Sequence, residues 1–306
     1  MNAVDINNLV KIYDNKFKAL NKINLSIPKG SFFGLLGPNG AGKTTTIGIL
    51  TGLVNKTSGS TKVFGHDTVD NFRDTRTMIG LSPQELNFDV FFTLEELLIL
   101  QAGYYNKNKK EAKERALAML EYFNLIDKRK SRARELSGGM KRRVQIAKAF
   151  IHDPPLIILD EPTAGVDIEL RYQLWDFLKK ENKRGKTILL TTHYIEEAEK
   201  LCDEIAIINK GDIIANGKTR ELMSTMGMNH IVVDIKNLTT DLIPNEFNWK
   251  YHIDKNKLTI ETNKPDEDMS KIISFMNQNG IIIDKVKAKE SSLEEIFINL
   301  TNDEKK

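Results

Sequence analysis

A glycine-rich segment of the sequence ends in a lysine and a threonine, which are residue types that bind phosphate and metal. Residues Gly37 to Thr44 read GPNGAGKT and fit the pattern G-x-x-x-x-G-K-[ST]. The glycines let the backbone turn so that successive N–H groups face one phosphate, while Lys43 adds a positive charge. The hydroxyl group of Thr44 is a hard oxygen ligand that suits Mg²⁺. The segment therefore predicts a site for a nucleoside triphosphate with Mg²⁺.

The flanks of this segment are those that a phosphate-binding loop needs. The apolar run Phe32 to Leu36 predicts a buried strand before it, and a helix is predicted from about Lys43 to Leu53. The positive end of the helix dipole would face the same anion. A glycine turn that binds nothing is the alternative. The residues predicted to contact the nucleotide here are Gly37, Pro38, Asn39, Gly40, Ala41, Gly42, Lys43, Thr44 and Thr45.

Two carboxylates follow a second predicted buried strand, Leu156 to Leu159. Asp160 and Glu161 would lie at the carboxyl edge of a parallel sheet, where open α/β folds bind their ligands. We expect Asp160 to hold Mg²⁺ through water and Glu161 to act as a general base on the attacking water. Alone, the pair fits solvated loop residues equally well. Together with the phosphate-binding segment, it predicts hydrolysis of the nucleotide.

A second predicted helix start carries the features of an anion site. Ser137, Gly138 and Gly139 offer a cap hydroxyl, two bare glycine amides and a positive dipole end. The chain thus has two predicted phosphate sites but one lysine-threonine loop. We therefore expect the second site to complete the nucleotide pocket of another copy, in a homodimer.

The motifs described so far resemble, in their order and spacing along the chain, those of the ATP-binding-cassette (ABC) ATPases. The resemblance covers roughly residues 3 to 225, and it implies that ATP is the nucleotide. Residues Leu136 to Met140 resemble the signature motif of that family, with Met140 where glutamine is frequent. This departure is mild and leaves the implied hydrolysis intact.

The resemblance also implies roles for four further residues. Gln84, in the run SPQE, would touch Mg²⁺ and communicate with a membrane partner. Tyr13 would stack on adenine. Asp167, which follows Val166 where leucine is usual, would reach across the dimer. His193, at the end of the run TTH, would be a catalytic residue that contacts the γ-phosphate.

Three segments resemble the ABC-2 type export subfamily in particular. They are Asn87 to Phe92, Gln101 to Tyr105 and Ser292 to Phe297. The resemblance implies that ATP-driven dimerisation acts on a separate ABC-2 type transmembrane permease. We expect the region from Gln84 to Tyr105 to be the docking surface. Packing in a helical core is the alternative for its apolar side chains Phe88, Val90, Phe91 and Phe92.

The succession of apolar runs and helical patterns predicts an α/β fold of the P-loop NTPase type with a parallel-sheet core. Ahead of this core, the runs Ile6 to Ile12 and Leu20 to Ile27 predict an antiparallel edge sheet. The fold implied by the resemblance is the ABC cassette, with a helical subdomain at about residues 87–153.

A change of pattern near Gly227 predicts two domains. We expect the ATPase domain at residues 1–226 and a small α+β domain at residues 227–306. The second domain is predicted to contain a helix opened by Pro265, a strand from Ile281 to Val286, and a last helix capped by Ser291 or Ser292.

The composition limits the environment in which the chain works. No apolar run approaches the ~20 residues that a membrane-spanning helix needs, so any path across a membrane must come from another polypeptide. A single cysteine, Cys202, suits a reducing cytoplasm. We therefore expect the chain at the cytoplasmic face of the cell membrane, held there by the permease.

Three rival functions stay open at this point. The net charge of +3 gives no global field that attracts nucleic acid, and we expect no nucleic-acid partner. The basic run Lys128 to Arg134 nevertheless leaves room for an ATPase that acts on ribosomes or DNA. A regulatory module that has lost catalysis and the ATPase of an importer are the other two.

Overall fold

The computed structural model describes residues 1–89, 91–226, 229–235, 247–262, 264–289 and 292–302. Val90 and Ser291, which the sequence interpretation names, lie outside the described residues. The chain divides into two compact units, Met1–Thr219 and Arg220–Lys306. The assignment of an ATPase domain to residues 1–226 stays a prediction. Within the described ranges, none of the helices combines the length and apolar composition that crossing a bilayer requires.

The first unit contains both strands and helices. Its strands are β1 (Asn2–Ile12), β2 (Lys18–Pro28), β3 (Phe32–Leu36), β4 (Ser58–Val63), β5 (His66–Asp67), β6 (Ile79–Ser82), β7 (Leu156–Asp160), β8 (Thr187–Thr192), β9 (Glu204–Asn209) and β10 (Asp212–Lys218). Its helices are α1 (Lys43–Leu50), α2 (Phe72–Met78), α3 (Leu94–Gly103), α4 (Lys109–Tyr122), α5 (Gly138–Phe150), α6 (Ile168–Lys183) and α7 (Ile195–Leu201).

The core of the first unit is a six-stranded sheet in the order β10-β9-β3-β8-β7-β6. The pairs from β9 to β6 are parallel, and β10 adds an antiparallel edge. All residues of β3, β7 and β8 are buried, which explains why they read as unbroken apolar runs rather than as an alternation. The predicted parallel-sheet core is confirmed.

A second sheet has the order β2-β1-β4-β5 and is antiparallel throughout. Alternate residues of β2, including Ile23, Leu25 and Ile27, are buried in the same apolar core as Phe33 and Leu35 of β3. The predicted antiparallel edge sheet is therefore confirmed. Its β1 strand ends at Ile12, directly before Tyr13.

The predicted helix after the phosphate-binding segment is three residues shorter than expected, since α1 ends at Leu50 and not at Leu53. Gly52 has a left-handed backbone with φ 72°. The N–H groups of Leu53 and Val54 both donate to the carbonyl oxygen of Gly48, at 2.8 and 2.9 Å. These turn bonds use an acceptor that a longer helix would otherwise need.

The second unit is a small α+β structure. Its elements are α8 (Thr219–Met226, which begins at the last residue of the first unit), β11 (Asn229–Ile235), β12 (Tyr251–Asp254), β13 (Lys257–Thr262), α9 (Pro265–Gln278), β14 (Ile283–Lys289) and α10 (Leu293–Asn302). The sheet order is β12-β13-β11-β14, antiparallel. The strand predicted from Ile281 to Val286 is present with shifted bounds, since β14 begins at Ile283 and ends at Lys289. It starts later because Gly280 (φ 73°) follows α9 and the N–H of Ile281 donates back to the carbonyl oxygen of Met276.

His152 fixes the start of β6, the strand that leads to Gln84. Its Nε2 lies 3.1 Å from the carbonyl oxygen of Ile79, and its ring stacks on Tyr105 at 3.5 Å between centroids. Only 7% of the residue is exposed. Burial lowers the pKa of His152 to about 4, so the ring is neutral in the folded chain near neutral pH.

The buried histidine generates a pH dependence of stability. Between the folded pKa of about 4 and the ordinary value of 6.5, the unfolded chain binds a proton that the folded chain does not. The stabilisation is present above pH 6.5 and is lost as the pH falls toward 4. We expect His152 to account for a loss of about 2 kcal/mol in free energy of unfolding between about pH 7 and about pH 5.

Urea denaturation of the wild-type chain and of His152→Phe at the two pH values measures this difference. The variant His66→Phe is the matched control, since His66 is only partly buried, and it should keep the wild-type pH dependence. An equal pH dependence in His152→Phe would contradict the account.

Candidate functional site

An open cleft of about 280 Å³ lies where β3 passes into α1. Gly42, the residue before the helix, has φ 117°. A Cβ atom there would lie 2.9 Å from the carbonyl oxygen of Ala19, so only glycine fits this turn. The cleft is lined by Phe17, Ala19, Asn39, Gly40, Gly42, Lys43, Thr44, Thr45, Gln84 and Glu161.

Lys43, the first residue of α1, projects its ammonium group back over the loop. The Nζ donates to the carbonyl oxygens of Gly37 at 2.7 Å and Pro38 at 3.2 Å. It also lies 3.9 Å from Oε1 of Glu161. Burial lowers the pKa of Lys43, while the charges of Glu161 and Asp160 act in the opposite direction. The loop therefore encloses a positive charge that lies beside carboxylates at the cleft wall.

The predicted metal ligands Thr44 and Asp160 are in contact. Thr44 Oγ1 donates to Asp160 Oδ2 at 3.1 Å, and Thr191 Oγ1 donates to the other carboxylate oxygen. Asp160, the last residue of β7, is only 2% exposed. A hydroxyl and a carboxylate side by side are a hard oxygen donor set, which fits Mg²⁺.

Glu161 is the side chain on which the other candidate groups converge. Its Oε2 accepts a hydrogen bond from Gln84 Nε2 at 3.2 Å and lies 3.2 Å from His193 Nδ1. Its backbone is left-handed, with φ 50°, a strained conformation for glutamate that the neighbouring strand holds in place. The N–H of Glu161 donates to the carbonyl oxygen of Thr191 at 3.0 Å. Gln84, Glu161 and His193 are thus brought together at the cleft.

Tyr13 lies beside the same loop. Its hydroxyl is 3.4 Å from Oγ1 of Thr45, and Lys11 Nζ lies 4.6 Å from the ring centroid. The ring is half-exposed. Phe17, which is 55% exposed and lines the cleft, is a second aromatic side chain that the sequence interpretation missed. The sequence feature that could have indicated Phe17 is its position as an aromatic residue in the polar turn between β1 and β2.

The second predicted anion site and the predicted dimer contact are both helix starts. Ser137 Oγ accepts from the N–H of Met140 at 3.3 Å at the start of α5. Asp167 Oδ1 accepts from the N–H of Leu170 at 2.8 Å at the start of α6. A Cβ atom at Gly138 would meet open space. None of Ser137, Gly138, Gly139 and Asp167 lines the cleft of its own chain among the described residues, and their roles stay predictions.

Arg142 on α5 is a positioning residue that the sequence interpretation did not identify. Its side chain is buried, and all five of its N–H donors are directed at backbone carbonyl oxygens. These belong to Pro83, Gln84, Asp160, Glu161 and Pro162. Burial lowers the pKa of Arg142, against the charges of Asp160 and Glu161. One guanidinium group therefore joins the segment of Gln84 to the segment of the two carboxylates.

Gln145, one turn along α5, supports the same segment. Its Nε2 donates to the carbonyl oxygens of Pro83 and Glu85, each at 2.7 Å. The sequence signal was a polar pair at i and i+3 on a helix face that also carries Ile146 and Ala149, which are buried.

The chain matches one known protein family and is similar to proteins of known description along nearly its whole length. The model of the family described as ABC transporter matches residues 20–164. The chain is 34% identical over 306 residues to the daunorubicin/doxorubicin resistance ATP-binding protein DrrA of Streptomyces peucetius, which covers 98% of this chain and 92% of that protein. It is 35% identical over 305 residues to the linearmycin resistance ATP-binding protein LnrL of Bacillus subtilis (strain 168), which covers 96% of each.

Among solved structures, the chain is similar to the ATP-binding cassette MJ0796, determined as a dimer in a post-hydrolysis state bound to ADP and Pi. The TM-score is 0.67 at 30% sequence identity, and the match covers 71% of this chain and 99% of that one.

The contacts of Arg142 generate a prediction. In Arg142→Lys the charge is kept, but lysine has three donors on one atom, so at least two of the five hydrogen bonds to the carbonyl oxygens are lost. We expect the free energy of unfolding to fall by about 3 kcal/mol. The maximal rate of ATP turnover should fall about tenfold or more, because Glu161 is no longer fixed. ATP affinity should change little, since Lys43 and its loop are untouched.

Arg143→Lys is the matched control. Arg143 donates to the carbonyl oxygen of Phe123 at 2.9 Å and to none of the site segments. Urea denaturation, steady-state phosphate release and titration with ATP measure the three quantities. Wild-type turnover in Arg142→Lys would remove its positioning role.

Proposed function

The chain belongs to the ABC transporter family as an ATP-binding and ATP-hydrolysing subunit, and we propose that it drives an exporter of the ABC-2 type. As an ATPase of this family, it acts as a dimer with a transmembrane permease. One observation supports the enzymatic part of the proposal, the hydrolysis of ATP. Lys43, Gln84 and His193 converge on the carboxylate of Glu161. The similarity to DrrA and LnrL, two resistance proteins, over nearly the full chain supports the export direction.

We infer the roles of the site residues from their contacts. The N–H groups of the loop and the ammonium of Lys43 would bind the β- and γ-phosphates. Thr44 and Asp160 would hold Mg²⁺, with Gln84 next to them. Bound Mg²⁺ would neutralise charge on the phosphate oxygens. Tyr13 would stack on the adenine ring, because its half-exposed ring lies at the loop.

Glu161 and His193 would carry the hydrolysis itself. The Glu161 carboxylate would accept the proton of the attacking water, as a general base held in place by the hydrogen bond from Gln84 Nε2. His193, whose side chain is 43% exposed, would steady the departing phosphoryl group. The intact contact between these two side chains favours an active enzyme over a regulatory module that has lost catalysis.

The dimer is proposed as a homodimer that closes on two ATP molecules. The exposed helix start of α5, with Ser137, Gly138 and Gly139, would face the γ-phosphate held by the Lys43 loop of the other copy. Asp167 at the start of α6 would reach across the same interface. Because this contact depends on the γ-phosphate, hydrolysis would weaken it and bias the dimer toward the open state.

The region from Gln84 to Tyr105 is the proposed docking surface for the permease. Phe91 is 77% exposed, so it does not pack in a core as the alternative required, and Tyr104 in the same region is 72% exposed. Phe88 is partly buried, with Lys148 Nζ 5.6 Å from its ring centroid. Exposed aromatic groups that form a patch mark interaction sites. Docking on a permease would place the chain at the cytoplasmic face of the membrane.

Glu161→Gln tests the enzymatic proposal. The amide keeps the shape of the side chain but cannot accept the proton of the water. We expect ATP turnover to fall by about 10² to 10⁴-fold, while ATP binding and ATP-dependent dimerisation persist. Phosphate release measures turnover, and size-exclusion chromatography with and without ATP measures dimerisation.

Glu121→Gln, an exposed position on α4, is the control and should hydrolyse ATP at the wild-type rate. Wild-type turnover in Glu161→Gln would exclude Glu161 as the base. A variant that no longer bound ATP would place Glu161 in nucleotide binding instead.

A further inference from the structure

The basic run noted in the sequence forms a defined surface feature of the first unit. This basic loop, Lys128 to Arg134, contains five lysine or arginine side chains and no acidic residue, and all five are exposed. It lies between α4 and the start of α5. Nothing in the proposed ATPase mechanism uses it.

The basic loop is held firmly against the start of α3. The N–H of Leu94 donates to the carbonyl oxygen of Ser131 at 3.0 Å, and the N–H of Glu95 donates to that of Arg129 at 3.0 Å. Thr93 and Arg132 form an isolated antiparallel bridge. Ala133 within the loop is 3% exposed and anchors it. The loop therefore sits beside Phe91 and Phe92 of the docking surface.

The charges of the loop are only partly balanced. Arg129 Nε lies 3.9 Å from Glu95 Oε2, and Arg132 lies in the field of Glu96. Lys128, Lys130 and Arg134 form no ion pair with any described residue. Asp127 and Glu135 flank the loop in sequence. Three solvated cations without an ion-pair partner, on a backbone held by hydrogen bonds, are still suited to a surface that carries many negative charges.

We propose, resting on the docking surface inferred above, that the basic loop binds anionic phospholipid headgroups beside the permease. The hydrogen bonds to α3 hold the loop next to residues that would contact a membrane protein, so its charges would face the lipid surface on that side of the chain, where attraction acts within a Debye length, about 10 Å at 0.1 M salt. Each lysine or arginine near an anionic leaflet strengthens binding by about fivefold. The loop thus adds a second, lipid-directed attachment to the one made by the permease.

Binding of the purified full-length chain to vesicles tests the proposal. Co-sedimentation is measured with vesicles of equal parts phosphatidylglycerol and phosphatidylcholine, and with phosphatidylcholine alone. The test variant replaces Lys128, Lys130 and Arg134 by glutamine. The control variant replaces Lys179, Lys180 and Lys183, which are exposed lysines of α6, by glutamine. It changes the net charge by the same amount as the test variant.

We expect the wild-type chain and the control variant to bind the anionic vesicles and not the neutral ones at about 0.1 M salt, and to dissociate at about 1 M salt. The affinity of the loop variant should be about a hundredfold lower. Binding that is equal in the loop variant, or absent in the wild-type chain, would overturn the proposal. Tighter binding to duplex DNA or RNA than to vesicles at the same salt would assign the loop to nucleic acid instead.

The rate of ATP turnover, measured on the same samples, separates this proposal from the enzymatic one. The loop variant should hydrolyse ATP at the wild-type rate, which also shows that it is folded. A wild-type chain without ATP turnover would contradict the proposed function, whereas loop-independent vesicle binding would contradict only the lipid contact.

Discussion

The site depends on a buried ammonium group held next to carboxylates. Lys43 is 6% exposed and lies 3.9 Å from Glu161, so the cost of removing its charge from water is offset in part by opposite charge and by two backbone carbonyl oxygens. A triphosphate would bring further negative charge to the same ammonium group. We therefore expect binding of ATP to change the partners of Lys43 and, through Glu161, the surroundings of Gln84 and His193.

The parallel sheet makes this arrangement possible. The carboxyl ends of β3, β7, β8 and β6 meet at one edge, and each contributes a different group of the site: the phosphate loop, the two carboxylates, His193 and Gln84. Because Arg142 on α5 donates to the carbonyl oxygens of Gln84 and Asp160, the helix capped by Ser137 is tied directly to the segments that carry Gln84 and the two carboxylates. A change at either place has a direct physical route to the other.

Much of the site could be predicted from the sequence because its chemistry is local. Gly37 to Thr44 form one loop whose glycines and lysine are contiguous, and Asp160 and Glu161 end an apolar strand. Arg142 could not be recognised, because its five acceptors lie in two distant segments of the chain. The shifted start of β14, at Ile283 rather than Ile281, has a local cause. The apolar pattern does not show that Gly280, with its positive φ, delays the start of the strand.

The affinity of the chain for ATP in the variant Lys43→Ala is the most direct test. Loss of the ammonium removes a charged hydrogen-bond donor and leaves Glu161 and Asp160 uncompensated beside the incoming phosphates, so the dissociation constant should rise by about tenfold to a hundredfold. Lys16→Ala, at an exposed lysine near the cleft residue Phe17 in sequence, should bind ATP as the wild-type chain does. An unchanged dissociation constant in Lys43→Ala, measured by calorimetric titration, would contradict the account.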